Sequence, residues 1–191
     1  MTELPWPLPD RTDLRDRLVA AYSTGRGYHD LQHLADVLSR IAELGGADDR
    51  ELLLAAWFHD AVYDGARDDE ERSAALARVD LEGSDVDIDE VVRLVLVTAL
   101  HDPEPGDTVG ETLSDADLGI LAATPARYAE YAAGVRRDYA HLSDEEFRIG
   151  RLGVLTELAE RPRLFRTEHA HALWDGPARA NLAAEIEALR G

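Results

Sequence analysis

Lysine and cysteine are both missing from this chain of 191 residues. All 20 basic residues are therefore arginines, set against 39 aspartates and glutamates, and the formal net charge is −19. Without cysteine there is no disulfide, no thiolate nucleophile and no cysteine-ligated zinc or iron–sulfur centre, so a metal site must be built from His, Asp and Glu. A surface this acidic repels phosphate backbones and anionic headgroups, which argues against sequence-independent binding of a nucleic-acid polymer or a membrane. It still permits a small phosphorylated substrate held in a local pocket.

Long apolar runs are missing too. The longest, 52–58 and 94–97, fall far short of the ~20 residues a membrane span needs. Residues 1–13 are proline-rich and acidic, with no basic stretch leading into an apolar one. The expectation is a cytoplasmic protein without a secretory leader. No glycine-rich phosphate loop is present, which excludes a P-loop enzyme. Nor does any stretch alternate apolar and polar residues for long enough to read as a sheet.

What is there is helical. The chain is 45% apolar and 31% charged, the composition of one globular domain able to bury a core without staples. Apolar residues recur at three- and four-residue steps, as in Leu31, Leu34, Ala35, Leu38, Ile41 and Ala42. Helices are predicted over about 10–22 (with Asp10 as cap), 29–44, 48–60, 69–82, 87–100, 114–122, 125–139, 143–161 and 175–190. The valine-rich fifth segment would suit a strand, but its length and its Asp-rich start favour helix. Ser143 and Glu146 form a capping-box pattern, and Pro125 suits a first helical turn. The fold class is all-α.

The informative feature is where the titratable residues fall. His59-Asp60 follows the apolar Trp57-Phe58, His101-Asp102 closes the fifth helix, and Asp115 and Asp117 open a short apolar run from Leu118 to Leu121. His29 and His33 lie four apart on one helical face. A carboxylate among apolar side chains costs several kcal/mol unless it is paired or metal-bound. Imidazole with carboxylate is a donor set for a divalent cation of the manganese, iron, nickel, cobalt or zinc type, more than for calcium.

Each element alone has a plainer explanation. A His-Asp pair is common, two histidines can share a solvated face, Asp115 or Asp117 can cap a helix, and His101 can sit on a helix C-terminus. His141, His169 and His171 have no apolar frame and read as solvated. The combined order is less easily dismissed: Tyr28-His29-x-x-x-His33-x-x-Asp36-Val37, His59-Asp60, Thr98-x-x-His101, then Asp115-Ala116-Asp117-Leu118.

In that order the chain resembles the HD superfamily of metal-dependent phosphohydrolases. It is most similar to a bacterial group labelled predicted HD-superfamily phosphohydrolases. The resemblance is carried by Arg26-Gly27-Tyr28-His29, by the segment from Trp57 to Asp64, by Asp115-Ala116-Asp117-Leu118 and by Ala178-Arg179-Ala180-Asn181-Leu182. It covers the chain from about Arg26 to the end. The segment from Tyr28 to Val37 also resembles the metal motif of cyclic-nucleotide phosphodiesterases, which usually carry asparagine where this chain has Asp30; their substrate is not carried over.

The resemblance implies a single HD-type helical bundle over 1–191, with a core of about 26–122 and the C-terminal helices of 125–190 packed on it. It implies His33, His59, Asp60 and Asp117 as metal ligands, with Asp115 as the fallback for the last. It further implies His29 as the catalytic proton donor, and Asp60 counts as catalytic as well as ligand. His101 is a candidate for a second metal or a phosphate oxygen. Arg26 and Arg136 are candidates for phosphate contacts, from charge and position alone. The function expected is hydrolysis of a nucleotide or other phosphoester with Mn, Ni, Co, Fe, Zn or Mg as cofactor. The rival expectations are a non-catalytic nucleotide-binding regulatory module and a di-iron oxygenase.

Overall fold

Short polar side chains start most of the helices. In the computed structural model, which describes residues 4–66 and 68–191, Asp30, Asp49, Asp87 and Asp107 each accept a backbone N–H in the first turn of a helix. Part of the acidity of the chain is thus spent on helix N-termini, where a negative charge also meets the helix dipole favourably. Thr124 and Thr167 do the same with a hydroxyl, and Ser143 with Glu146 forms the expected capping box.

Among the described residues all regular structure is helical. The order is α1 (Thr12–Tyr22), α2 (Leu31–Glu43), α3 (Arg50–Phe58), α4 (Asp69–Asp80), α5 (Ile88–Val97) and α6 (Thr108–Leu118). A 3₁₀ turn (Gly119–Ala122) follows, then α7 (Pro125–Asp138), α8 (Asp144–Glu160) and α9 (Glu168–Arg190). None of these helices is long and apolar enough to cross a membrane. The valine-rich segment is helix α5, and it buries Val91, Leu94 and Val95.

Three boundaries differ from expectation. Helix α1 begins at Thr12, and no side chain caps it, so Asp10 has no capping role. Helix α6 starts six residues before the predicted 114, because Asp107 caps it and Gly110 is tolerated in its first turn. Helix α9 starts at Glu168 rather than 175 and runs straight through Gly176-Pro177. A helix-interior proline costs ~3 kcal/mol, yet Ala170 before it and Ala178 and Leu182 after it are all fully buried. Burial on both sides of the proline outweighs the local preference.

Helix α3 runs through the middle of the larger of two apolar clusters, and every residue from Leu52 to Phe58 is buried. Helices α2, α5 and α6 pack around it. The cluster extends back to α1, whose Leu14 and Tyr22 are fully buried, so the core starts earlier than about 26. The second cluster joins the 3₁₀ turn to α7, α8 and α9. Asn181 ties α9 to the 3₁₀ turn within this cluster: its amide donates to the carbonyls of Leu121 and Ala123, both at 2.8 Å. Arg179 in the same segment donates to the carbonyls of Ala159 at 3.0 Å and Arg161 at 2.9 Å. The cavity discussed below lies where the two clusters meet.

Candidate metal centre

Three helices bring the polar residues of that junction together. His33 comes from the first turn of α2, His59 and Asp60 from the C-terminal end of α3, and Asp117 from the last turn of α6. The Nε2 atoms of His33 and His59 are 3.0 Å apart. Asp60 Oδ2 lies 3.2 Å from the first and 3.1 Å from the second. Asp117 Oδ1 stands 3.1 Å from His33 Nε2 and 3.7 Å from His59 Nε2. Both histidines are 1% exposed.

The outer ring nitrogens are committed elsewhere. His59 Nδ1 donates to the carbonyl of Ala56 at 2.7 Å, and His33 Nδ1 bonds the Tyr28 hydroxyl at 2.9 Å. Because a carbonyl only accepts, His59 carries its proton on Nδ1, and its neutral ring presents a bare lone pair on Nε2. The 3.0 Å approach of the two Nε2 atoms therefore needs a positive partner: either a proton carried on His33 Nε2 or a cation set against both nitrogens. Asp60 Oδ2 is buried with no well-directed hydrogen bond. His33, His59 and Asp60 form a buried group able to hold a metal ion, and the donor set suits a divalent ion.

The titration of the group reflects the same crowding. Burial opposes protonation of His59, but Asp60 and Asp117 outweigh it and carry the imidazole up to about 9. Burial likewise opposes and the same two carboxylates raise His33. Burial would push Asp60 up, yet His59, His29 and His33 hold it well below the usual carboxylate range. Asp117 is held down against burial by His59 and His33.

The aspartate register is settled by where the two side chains point. Asp117 faces the histidines, whereas Asp115, two residues earlier, is fully buried on another side of α6. Asp115 accepts the backbone N–H groups of Arg166 at 2.8 Å and Thr167 at 2.7 Å, and the Thr167 hydroxyl at 2.8 Å. It therefore anchors the start of α9. Asp115→Ala strands those donors and is expected to cost about 2–4 kcal/mol in urea unfolding while leaving metal content unchanged. Loss of metal at full stability would return Asp115 to the ligand set.

His29 sits beside the cluster, its ring 5.6 Å from that of His33 and stacked on Tyr63 at 4.0 Å. Its Nδ1 is 2.9 Å from Asp138 Oδ2, and among the described residues no group bonds its Nε2. Sequence reasoning missed Asp138, which lies among polar residues at the end of α7 and has no apolar frame to mark it. Asp138 also accepts the amides of Gly27 and Tyr28. The loop before α2 can reach α7 only because both contacts are glycine: a Cβ on Gly27 would overlap the Gly134 carbonyl, and one on Gly134 would stand 2.9 Å from Tyr28 Cβ.

Burial opposes ionisation of Asp138, but the His29 ring and the Tyr28 and Gly27 amides hold the carboxyl below its ordinary value. A depressed carboxyl contributes stability that is present above the unfolded-chain value, about 3.9, and is lost as the pH falls through the folded one. Below about pH 4 wild type is expected to lose stability more steeply than Asp138→Asn, as read by chemical unfolding at stepped pH. Parallel acid limbs would show that Asp138 is not so coupled.

His101 lies 3.6 Å from Asp117 Oδ2 and lines the same cavity. It has a φ of 50°, a left-handed backbone that is uncommon for histidine. Arg161 clamps this turn by donating to the carbonyls of Leu100 at 2.8 Å and His101 at 3.0 Å. The two arginines read as phosphate contacts are placed otherwise. Arg26 donates to the carbonyls of His29, Asp60 and Ala61, and Arg136 to those of Tyr139 and Leu142 and to Asp144. Neither lines the cavity; their charge is used to hold loops around it. Comparison with protein-family models, with curated proteins and with solved structures finds no match for the chain.

Proposed function

We propose that this chain is a metal-dependent phosphohydrolase of the HD type, acting on a small phosphorylated substrate such as a nucleotide or another phosphoester. The observation that carries the reading is the buried His33–His59–Asp60 group with Asp117 beside it, opening on a cavity that His29 also lines. When bound, a divalent ion such as Mn, Ni, Co, Fe, Zn or Mg acidifies a water and polarises a phosphoryl oxygen.

The chain's own residues do the rest. Asp138 holds His29 by Nδ1 and so fixes which nitrogen faces the substrate; this is the usual way a carboxylate orients a catalytic imidazole. As water oxygen bonds to phosphorus, the ester P–O bond breaks and the leaving oxygen takes the proton from His29 Nε2. Solvent then returns a proton to His29, and the products are an alcohol and inorganic phosphate. The buried walls of the site keep bulk water off the leaving group.

The test is elemental analysis of the protein as isolated, followed by a screen of metal-reconstituted protein against nucleotides and other phosphoesters. Metal near stoichiometry with phosphate release supports the reading. Tight binding of phosphorylated ligands with no turnover overturns it in favour of a regulatory module. His101 beside Asp117 gives a second reading its one support: a two-iron content with oxygen consumption and no phosphate release would make the site an oxygenase.

A further inference from the structure

The cavity over the metal centre has two unlike ends. One holds His29, Asp60, His101 and Asp117; the other is walled by Leu118, Ile120, Leu121, Val135, Phe147 and Leu158. Its volume, about 370 Å³, falls in the range of small-molecule sites. Among the described residues one arginine lines it, Arg151, and that guanidinium is already neutralised by Glu185 at 2.8 and 3.1 Å and donates to the Tyr131 hydroxyl at 3.0 Å. The Tyr28 hydroxyl is taken by His33. Glu70 and Glu146 add two further carboxylates to the lining.

This distribution of charge and polarity restricts the ligand. A divalent ion held there would do no more than balance Asp60 and Asp117, so it could take the oxygens of one phosphoryl group but leaves no charge over for others. A second or third phosphoryl group would enter a cavity that shows no free cation among the described residues and has carboxylates in its wall, where repulsion is poorly screened. A sugar or polyol seated against Leu118, Ile120, Leu121, Val135, Phe147 and Leu158 would lose its hydration to side chains that offer no hydrogen bonds in return. Resting on the hydrolytic reading, we infer that the substrate is a phosphomonoester: a single phosphoryl group on a bulky apolar organic part that seats between the 3₁₀ turn, α7 and α8.

Two readouts on the full chain loaded with Mn²⁺ test this. In calorimetry, hexylphosphonate is expected to bind about 10–100-fold more tightly than methylphosphonate, since each buried methylene contributes about 3–4-fold and two or three of the five added ones are expected to be fully buried, and with a negative heat-capacity change. In turnover, hexyl phosphate is expected to exceed glycerol phosphate in kcat/KM by a similar factor, with ATP slower than both. Glycerol releases the less basic alkoxide, so leaving-group chemistry alone favours glycerol phosphate, and a ratio in favour of hexyl phosphate reports the fit of the organic part.

Gly150 of α8 lines the cavity, and nothing lies within 4 Å of where its Cβ would be. Gly150→Leu therefore adds apolar bulk at an exposed part of the lining, with its Cβ free of any contact, and is expected to shrink both ratios at least about fivefold. Equal affinity for the two phosphonates, faster turnover of ATP, or ratios unmoved by Gly150→Leu would each overturn the inference while leaving hydrolysis standing. Selective phosphonate binding with no turnover of any ester would instead support the inference about the cavity and remove the hydrolytic reading beneath it.

Discussion

His29→Ala is expected to lower turnover of an alkyl phosphate about 10²–10⁴-fold, the range a positioned general acid contributes, while metal content stays near wild type. The His29 ring is held by Asp138 and Tyr63, on the cavity side of the cluster, and none of the close contacts among His33, His59, Asp60 and Asp117 includes it. The loss is expected to shrink with nitrophenyl phosphate, whose leaving group hardly needs a proton. Equal losses on good and poor leaving groups, with metal retained, would make His29 a residue that positions substrate. Metal loss would make it a ligand. Asp138→Asn is expected to reproduce part of the same pattern, weaker and again without metal loss, because it disturbs only the orientation of the ring.

The second large effect is on metal itself. His59→Ala removes one of the two Nε2 atoms that face each other at 3.0 Å, and the variant is expected to retain less than about a tenth of the wild-type metal and no phosphatase activity above background. Tyr28→Phe is the graded counterpart. It removes the hydroxyl that orients His33 through Nδ1 at 2.9 Å, and loss of such an outer partner typically costs 10–100-fold in metal affinity or activity. Competitive titration with a chelator measures both. Wild-type affinity in His59→Ala would remove the metal centre from the account altogether. Wild-type affinity in Tyr28→Phe would show that packing alone, including the tilted ring contact between Tyr28 and His33 at 4.7 Å, orients the ligand.

Of all this, the sequence by itself determined the helical class and the residue types from which a site could be made. Periodicity is a local property, so α2, α3, α7 and α8 were legible within a residue or two, and the absence of cysteine and lysine limited the possible chemistry before any fold was known. The sequence also drew attention to His29, His33, His59, Asp60, His101, Asp115 and Asp117, because a titratable side chain among apolar neighbours is conspicuous without a structure, and the resemblance to the HD superfamily singled out His33, His59, Asp60 and Asp117 among them. Only the tertiary structure decided the rest. It placed Asp117 toward the histidines and Asp115 toward the start of α9, a choice between two residues whose local sequence is equally suited to either role. It brought in Asp138, which lies more than a hundred positions from His29 in a stretch with no distinguishing pattern. It took Arg26 and Arg136 out of the site, since a guanidinium goes where unpaired carbonyls need a donor, and those carbonyls belong to loops that exist only once the chain is folded. It also carried α9 through Pro177, where burial on both sides of the proline outweighed a penalty that local sequence could register but not offset.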